Sequence, residues 1–197
     1  MIQEKTLRNL YEKKKLSMKE ISQVLKCSHT QVSYWMKYHK ISRRTISDSI
    51  YLKNNPKGDP FLFREPKTVD EAILYGLGLG LYWGEGTKAN NFSIRLGNTD
   101  PDLIWQFILF LKTFFSISKN DLRFGIQVFS DMEPEAVILF WCSALNVSKS
   151  QFMKTVVTKA RNKGSYTRKI EHGVLTVYFH NTKARNVLIS LIEKMKK

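Results

Sequence analysis

The stretch GLGLGLYWGEGTK, residues 76–88, carries five glycines and one acid, Glu85, close to its end. Just upstream, Thr68-Val-Asp-Glu71 has the capping-box pattern that opens a helix. Ala72, Ile73, Leu74 and Leu77 carry that helix toward Trp83. Gly76, Gly80 and Gly84 recur every four residues, so they fall on one stripe of it. Each mid-helix glycine costs about 1 kcal/mol relative to alanine. A second helix packing backbone to backbone along the stripe offsets that cost, with Leu77 and Leu81 as its apolar flank. Glu85 then stands at the negative end of the macrodipole, where a carboxylate is disfavoured. A group placed against local preference is a candidate functional site. Two such helices side by side bring two Glu85 carboxylates together, which suits a divalent cation beside a phosphate. Two phosphate-loop readings fail. Gly86-Thr87-Lys88 reverses the Walker order, and Gly84-Glu-Gly86 closes a helix where a dinucleotide fingerprint must open one.

The charge points the same way. The 197 residues carry a formal net charge of +15, which attracts polyanions, nucleic acid first and an anionic membrane surface second. Residues 1–45 hold eleven Lys and Arg against three acids. Cys27 and Cys142 lie far apart, and no Cys or His pair has zinc-ligand spacing, so neither a disulfide framework nor a structural metal is expected. No apolar signal segment opens the chain, and Leu103–Leu111 is too short to span a bilayer and reads as a core helix. The expectation is a cytoplasmic protein with no membrane partner and no small-molecule substrate.

Three short helices fit residues 1–45. Gln3–Lys15 places Leu7, Leu10 and Tyr11 on one face. Ser17-Met-Lys-Glu20 is a capping box that opens a helix with Ile21, Val24 and Leu25 on its apolar side. After a tight turn at Lys26-Cys27, Ser28-His-Thr-Gln31 opens a third helix with Val32 and Trp35 inside. The stretch LSMKEISQVLKCSHTQVSYWMKYHKI resembles a helix-turn-helix domain. That resemblance implies a second helix in the major groove, with its N-terminal residues on base edges. The positions concerned are His29, Thr30, Gln31, Ser33, Tyr34 and Lys37. Gln31 can bond adenine bidentately, Thr30 suits a thymine methyl and Lys37 a phosphate. Arg43 and Arg44 follow, within reach of a minor groove or the backbone. The plainer alternative is a helical protein-interaction module with a solvated basic face.

Residues 46–67 contain NNPKGDP and three of the five prolines, so they read as the linker between a domain over 1–45 and one over 68–197. Phe61-Leu-Phe63 is expected to pack onto the second domain. Beyond the glycine helix, FSIRLGNTDPDLIWQF, FGIQVFSDMEPEAVILF and LTVYFHNTKARNVLISL each read as a strand, a polar stop and a helix. Met153–Arg161 adds a fourth strand. Phe92, Ile94 and Leu96 face one way and Ser93 and Arg95 the other. Phe124, Ile126 and Val128 oppose Arg123 and Gln127. Leu175, Val177 and Phe179 oppose Thr176, Tyr178 and His180. Such a sheet needs helices on one side only. Lys88, Lys154, Lys159, Arg161, Lys163, Arg168 and Lys169 add phosphate-binding capacity.

Gly78-Leu-Gly-Leu-Tyr-Trp-Gly-Glu-Gly86 resembles the motif of the LAGLIDADG homing endonucleases. Gly80 matches its internal glycine, Gly84 its small residue, Glu85 its last acid and Gly86 its closing glycine. The departures are Trp83 in place of the earlier acid and glutamate in place of the final aspartate. The two resemblances together imply an α+β chain: an N-terminal all-α helix-turn-helix domain plus a LAGLIDADG-type α/β sandwich. Its sheet, mixed or antiparallel, is covered on one side and saddles DNA with the other. With one motif copy the LAGLIDADG resemblance implies a homodimer through Gly76, Leu77, Gly80, Leu81 and Gly84. It also implies magnesium on Glu85 if the chain cleaves DNA; an enzyme of that kind is read with Lys88, or a sheet residue such as Gln127 or Lys154, positioning water. The saddle residues are Ser93, Arg95, Arg123, Gln127, Thr176, Tyr178 and His180. The short interval between Gly86 and Asp100 leaves room for only a short first hairpin, so base reading moves to the N-terminal domain. Two readings follow, a site-specific double-stranded-DNA-binding regulator or a magnesium-dependent endonuclease. A bacterial sporulation regulator family pairs the same two domain types without cleavage.

Overall fold

The computed structural model describes residues 1–159 and 171–196. The chain divides into two compact units, Met1–Pro60 and Phe61–Lys197.

In the first unit, helix α1 (Glu4–Arg8) runs into a π-helical turn over Asn9–Lys13, where one continuous helix is expected. Helices α2 (Met18–Val24) and α3 (His29–Tyr38) both open on complete capping boxes. Glu20 N–H donates to Ser17 Oγ at 3.2 Å, and Ser17 N–H returns a 2.7 Å bond to the Glu20 carboxylate. Ser28 and Gln31 repeat the exchange at 3.1 Å each. Leu7, Leu10, Tyr11, Ile21, Val32, Met36 and Ile41 form a small core. Val24, expected inside, is exposed, and Met36 rather than the half-buried Trp35 takes the deepest position on α3. The segment expected as a linker is partly helical. Helix α4 (Ile46–Asn54) starts where Thr45 Oγ1 accepts the Asp48 N–H at 3.0 Å.

The second unit is a mixed α+β arrangement. It runs α5 (Val69–Glu85), β1 (Ile94–Asn98), α6 (Pro101–Phe115), β2 (Arg123–Phe129), α7 (Pro134–Leu145), β3 (Val156–Thr158), β4 (Val174–Phe179) and α8 (Thr182–Met195). The four-stranded mixed sheet has the order β1-β4-β2-β3. β4 is antiparallel to β1 and β2, and β3 is parallel to β2. Ile94, Leu96, Phe124, Ile126, Val128, Leu175, Val177 and Phe179 are buried beneath the helices. β3 is shorter than the expected fourth strand, and Arg161 lies outside the described residues. The first hairpin is reduced further than expected. It is one antiparallel bridge, Gly86 to Leu96, with Thr87 N–H donating to the Arg95 carbonyl at 2.9 Å.

Two of the expectations for β1 are reversed. Phe92 is 74% exposed and Ser93 is fully buried. The Asn90 side-chain amide bonds Ser93 Oγ at 2.6 Å and the Ser93 carbonyl at 3.1 Å, while Asn90 Oδ1 accepts the Phe92 N–H at 3.0 Å. This turn rotates residues 92 and 93 out of the alternation that begins at Ile94.

Among the glycines of α5, Gly78 meets the neighbouring helix. A Cβ there would stand 2.1 Å from Phe110 Cγ. Tyr82 stacks on Phe107 nearby, with centroids 5.9 Å apart and planes 8° apart. Gly76, Gly80 and Gly84 face open space. Leu77 is exposed beside them, whereas Leu81 is half-buried and packs on the core.

A strap joins Phe61–Lys67 to the unit. Leu62 and Arg64 N–H groups donate to the Phe115 and Phe114 carbonyls, each at 2.9 Å. Arg64 then grips Glu71 with two bonds of 2.7 and 2.8 Å, and Lys67 N–H donates to the same carboxylate at 2.8 Å. The Thr68–Glu71 capping box is therefore half-formed. Thr68 Oγ1 accepts the Glu71 N–H, but the carboxylate turns to the strap instead. Arg64 first, then the Lys67 amide, holds the Glu71 carboxyl at about 2, below its ordinary value of 4.5. A depressed acid stabilises above its unfolded-state pKa and loses that contribution as pH falls through the folded value. We expect opening of the strap, read by hydrogen exchange at Leu62 and Arg64, to increase as pH drops from 4.5 toward 2. Glu71→Gln should open at neutral pH as readily as acidified wild type and lose the acid-dependent step. An unchanged acid dependence in the variant would place the titrating group elsewhere.

Candidate nucleic-acid interface

On α3 the exposed side holds His29, Thr30, Gln31, Tyr34 and Lys37. Gln31 is only partly available, because its side-chain oxygen accepts the Ser28 N–H. A bidentate adenine contact needs that oxygen, so it would have to open the cap. Ser33 is half-buried and accepts a hydrogen bond from the Arg43 guanidinium, which brings these two candidates together on one flank of α3. Tyr38 is a residue that sequence reasoning missed. It is 64% exposed and stacks with Tyr34 at 6.4 Å, with planes 20° apart. The signal was present: Tyr38 lies four residues past Tyr34, on the same helix face.

Arg44 does not project toward solvent. Its guanidinium donates to the carbonyls of Lys15 (2.9 Å), Tyr11 (3.0 Å) and Leu16 (2.6 Å) and lies 4.0 Å from the centre of the Tyr11 ring. Its backbone N–H also bonds the Tyr11 hydroxyl at 2.7 Å. Arg44 ties the chain after α3 to the end of the first helical segment, satisfying carbonyls that a helix end leaves unpaired.

At the end of α5, Glu85 is exposed and is the last helical residue. The Lys88 ammonium bonds the Trp83 carbonyl, which sets a positive charge at the negative end of the helix. Lys88 is thus a helix cap first, not a free side chain over the sheet. Its own carbonyl accepts from Arg185 Nη2 at 2.8 Å. Arg185 lies in the first turn of α8, where the dipole disfavours a cation, and its Nε is buried with no hydrogen-bond partner. An acid at a helix C-terminus and a cation at a helix N-terminus therefore flank the same short connection. Among the described residues, no three His, Cys, Asp or Glu gather where they could hold a metal ion. Glu85 contributes one carboxylate.

On the open side of the sheet, Arg95 on β1 and Arg123 on β2 both lie opposite Tyr178 on β4. The next row is Gly97, Thr176 and Gly125. Arg95 Nε bonds Ser93 Oγ at 2.9 Å, so Ser93 supports this face from within rather than standing on it. Arg123 Nη1 donates to the Asn120 and Leu122 carbonyls at 3.0 and 2.8 Å. Gln127 donates to Thr158 Oγ1 at 2.9 Å, which occupies its amide across β2 and β3. Lys154 is exposed. His180 follows β4 and stacks near Tyr178. Partial burial, and then the charges of Arg95 and Arg123, push its pKa down. Lys159 is exposed, whereas Lys163, Arg168 and Lys169 lie outside the described residues.

No family model, no curated protein and no solved structure matches the chain. No helix among the described residues is long and apolar enough to cross a membrane.

The geometry separates two arginines that sequence alone treats alike. Arg44→Ala should lower the stability of the first unit by roughly 2 kcal/mol, because hydrogen bonds from a charged group are lost. Arg43→Ala should leave its melting unchanged. Equal melting of the two variants would contradict the role given to Arg44.

Proposed function

We propose that the protein is a homodimeric, site-specific binder of double-stranded DNA, in which α3 reads the major groove and α5 joins two copies on a LAGLIDADG-like scaffold. The observation that carries this reading is α3 itself. It is a capped ten-residue helix whose outer side carries His29, Thr30, Tyr34 and Lys37, with Arg43 held on its flank by Ser33, in the most basic part of the chain. Hydroxyl, imidazole and methyl groups suit base edges, and the two cations suit phosphates. The open sheet face adds Arg95 and Arg123, whose guanidiniums suit phosphate, in a chain with a net charge of +15.

For α5, the supporting features are the open stripe of Gly76, Gly80 and Gly84 and the exposed Val69, Ile73 and Leu77 beside it. A matching helix from a second copy covers that face and offsets the helix penalty of the glycines. A second reading, a magnesium-dependent endonuclease, is favoured by Glu85 at the exposed end of the same helix. Glu85 from two copies with phosphate oxygens supplies the oxygen-rich shell that magnesium takes. There the ion polarises a phosphodiester. The bonds already made by Lys88 and Gln127 leave Lys154 as the freest candidate near water, and they weigh toward the regulator.

The deciding experiment mixes purified protein with fragmented source-genome DNA and sequences both the retained fragments and any new ends, with magnesium and with EDTA. We expect a limited set of retained sites without new ends. New ends at those sites, seen only with magnesium and lost in Glu85→Gln, would establish the endonuclease. Retention without site preference would contradict the proposal. In EDTA, Glu85→Gln should bind the retained sites as well as wild type or more tightly, since it removes a negative charge near phosphates. Binding weaker by about tenfold, roughly 1.4 kcal/mol, would contradict this placement of Glu85.

A further inference from the structure

Among the described residues, one row across the outer face of the sheet lacks long side chains. Gly97 and Gly125 flank Thr176 in one row across β1, β4 and β2. The Tyr178 ring uses the space that one of them leaves. Its Cε2 and hydroxyl lie 3.0 and 3.4 Å from where a Gly125 Cβ would stand, and the Met153 Cε shares that space at 3.3 Å. The ring therefore leans across β2, with glycine as its floor. Glycine in a strand interior often marks such a close approach.

Around that ring the charges are fixed and positive. Arg95 Cζ sits 5.3 Å from the ring centre, within cation–π range. Its Nε is anchored on buried Ser93. Arg123 lies opposite Tyr178 on the other neighbouring strand and is anchored through Nη1 on two carbonyls. Both guanidiniums are held by one edge, which leaves further donors in each fork. His180, exposed at the end of β4, continues the aromatic surface, with its ring 5.7 Å from that of Tyr178 and 23° from parallel.

We propose that Tyr178 and His180, between Arg95 and Arg123, receive an unpaired nucleobase and its phosphate from a single strand. The proposal rests on the nucleic-acid reading above and assigns the sheet face a different form of nucleic acid from α3. Sheets with aromatic side chains on an open face stack unpaired bases, and stacking tolerates any base because each has a π-face. A paired base inside a duplex offers no such face. Arginine beside the ring adds a cation–π contact and pairs with phosphate.

The test uses the full chain with three labelled probes: an oligothymidylate strand, an oligouridylate strand and a mixed-sequence duplex. Tyr178→Leu keeps an apolar cover over Gly125 but removes the planar ring. It should weaken single-strand binding at least about fivefold while duplex binding stays within about twofold. Tyr178→Phe should bind single strands like wild type. A 2-aminopurine in the strand should be quenched by wild type and not by Tyr178→Leu, a readout that a purely structural role would not move. His180→Ala lies outside the strand and repeats the test without touching the fold. Binding of either strand with these losses supports the platform, and the preferred probe identifies DNA or RNA. Duplex binding with no single-strand binding, or single-strand binding indifferent to both substitutions, overturns it and leaves the duplex reading standing. Binding of none of the three probes overturns both.

Discussion

The second unit depends on one close approach, between Gly78 of α5 and the Phe110 side chain of α6. No side chain fits at Gly78, because its first carbon would stand 2.1 Å from that ring. The approach seats Tyr75 against Phe110 and Phe114 on one side and Tyr82 against Phe107 on the other. It also sets the rotation of α5. With Gly78 inward, Gly76, Gly80 and Gly84 turn outward together. The glycine-rich sequence thus presents glycine on two faces of one helix. The inner glycine is explained by the contact seen here, and the outer three remain open to a contact of the same kind.

The rotation carries through to the chemistry. It ends α5 with Glu85 exposed and leads the chain at once through Gly86 into its bridge with β1. The charges at that corner run against both helix dipoles and are partly offset by Lys88 on the Trp83 carbonyl. The sheet behind it keeps its apolar side under the helices and its arginines on the other. Those arginines are anchored by Ser93 and by carbonyls, so the positive face is set before any ligand arrives. Pre-set geometry lowers the ordering cost of binding an anion.

Features written in a few neighbouring residues were legible in the sequence. The Ser17–Glu20 and Ser28–Gln31 boxes form because each needs only groups three residues apart. Asp100 before Pro101 likewise opens α6 through bonds to the Asp102 and Leu103 amides. Strand alternation placed the buried residues of β2 and β4 correctly. Features decided by distant partners were not legible. Arg44 finds its carbonyls about thirty residues earlier in the chain, so nothing near it distinguished it from Arg43. Glu71 leaves its cap for Arg64, and Asn90 inverts Ser93. Of the candidate site, the residue types on α3 and β4 were readable. Gln31's spent oxygen follows from its capping box, whereas Lys88's helix cap and the glycine floor under Tyr178 have no such local signature.

The most direct measurement of the central claim is the mass of the full chain by light scattering at micromolar concentration, for wild type and Gly80→Leu. The account predicts two 23.0 kDa chains for wild type and one for the variant, with the same far-ultraviolet circular dichroism. A Cβ at 80 meets nothing within 4 Å among the described residues, so leucine there should block association without disturbing the fold. A monomeric wild type, or a dimer that tolerates leucine at 80, would contradict the role assigned to the outer glycines.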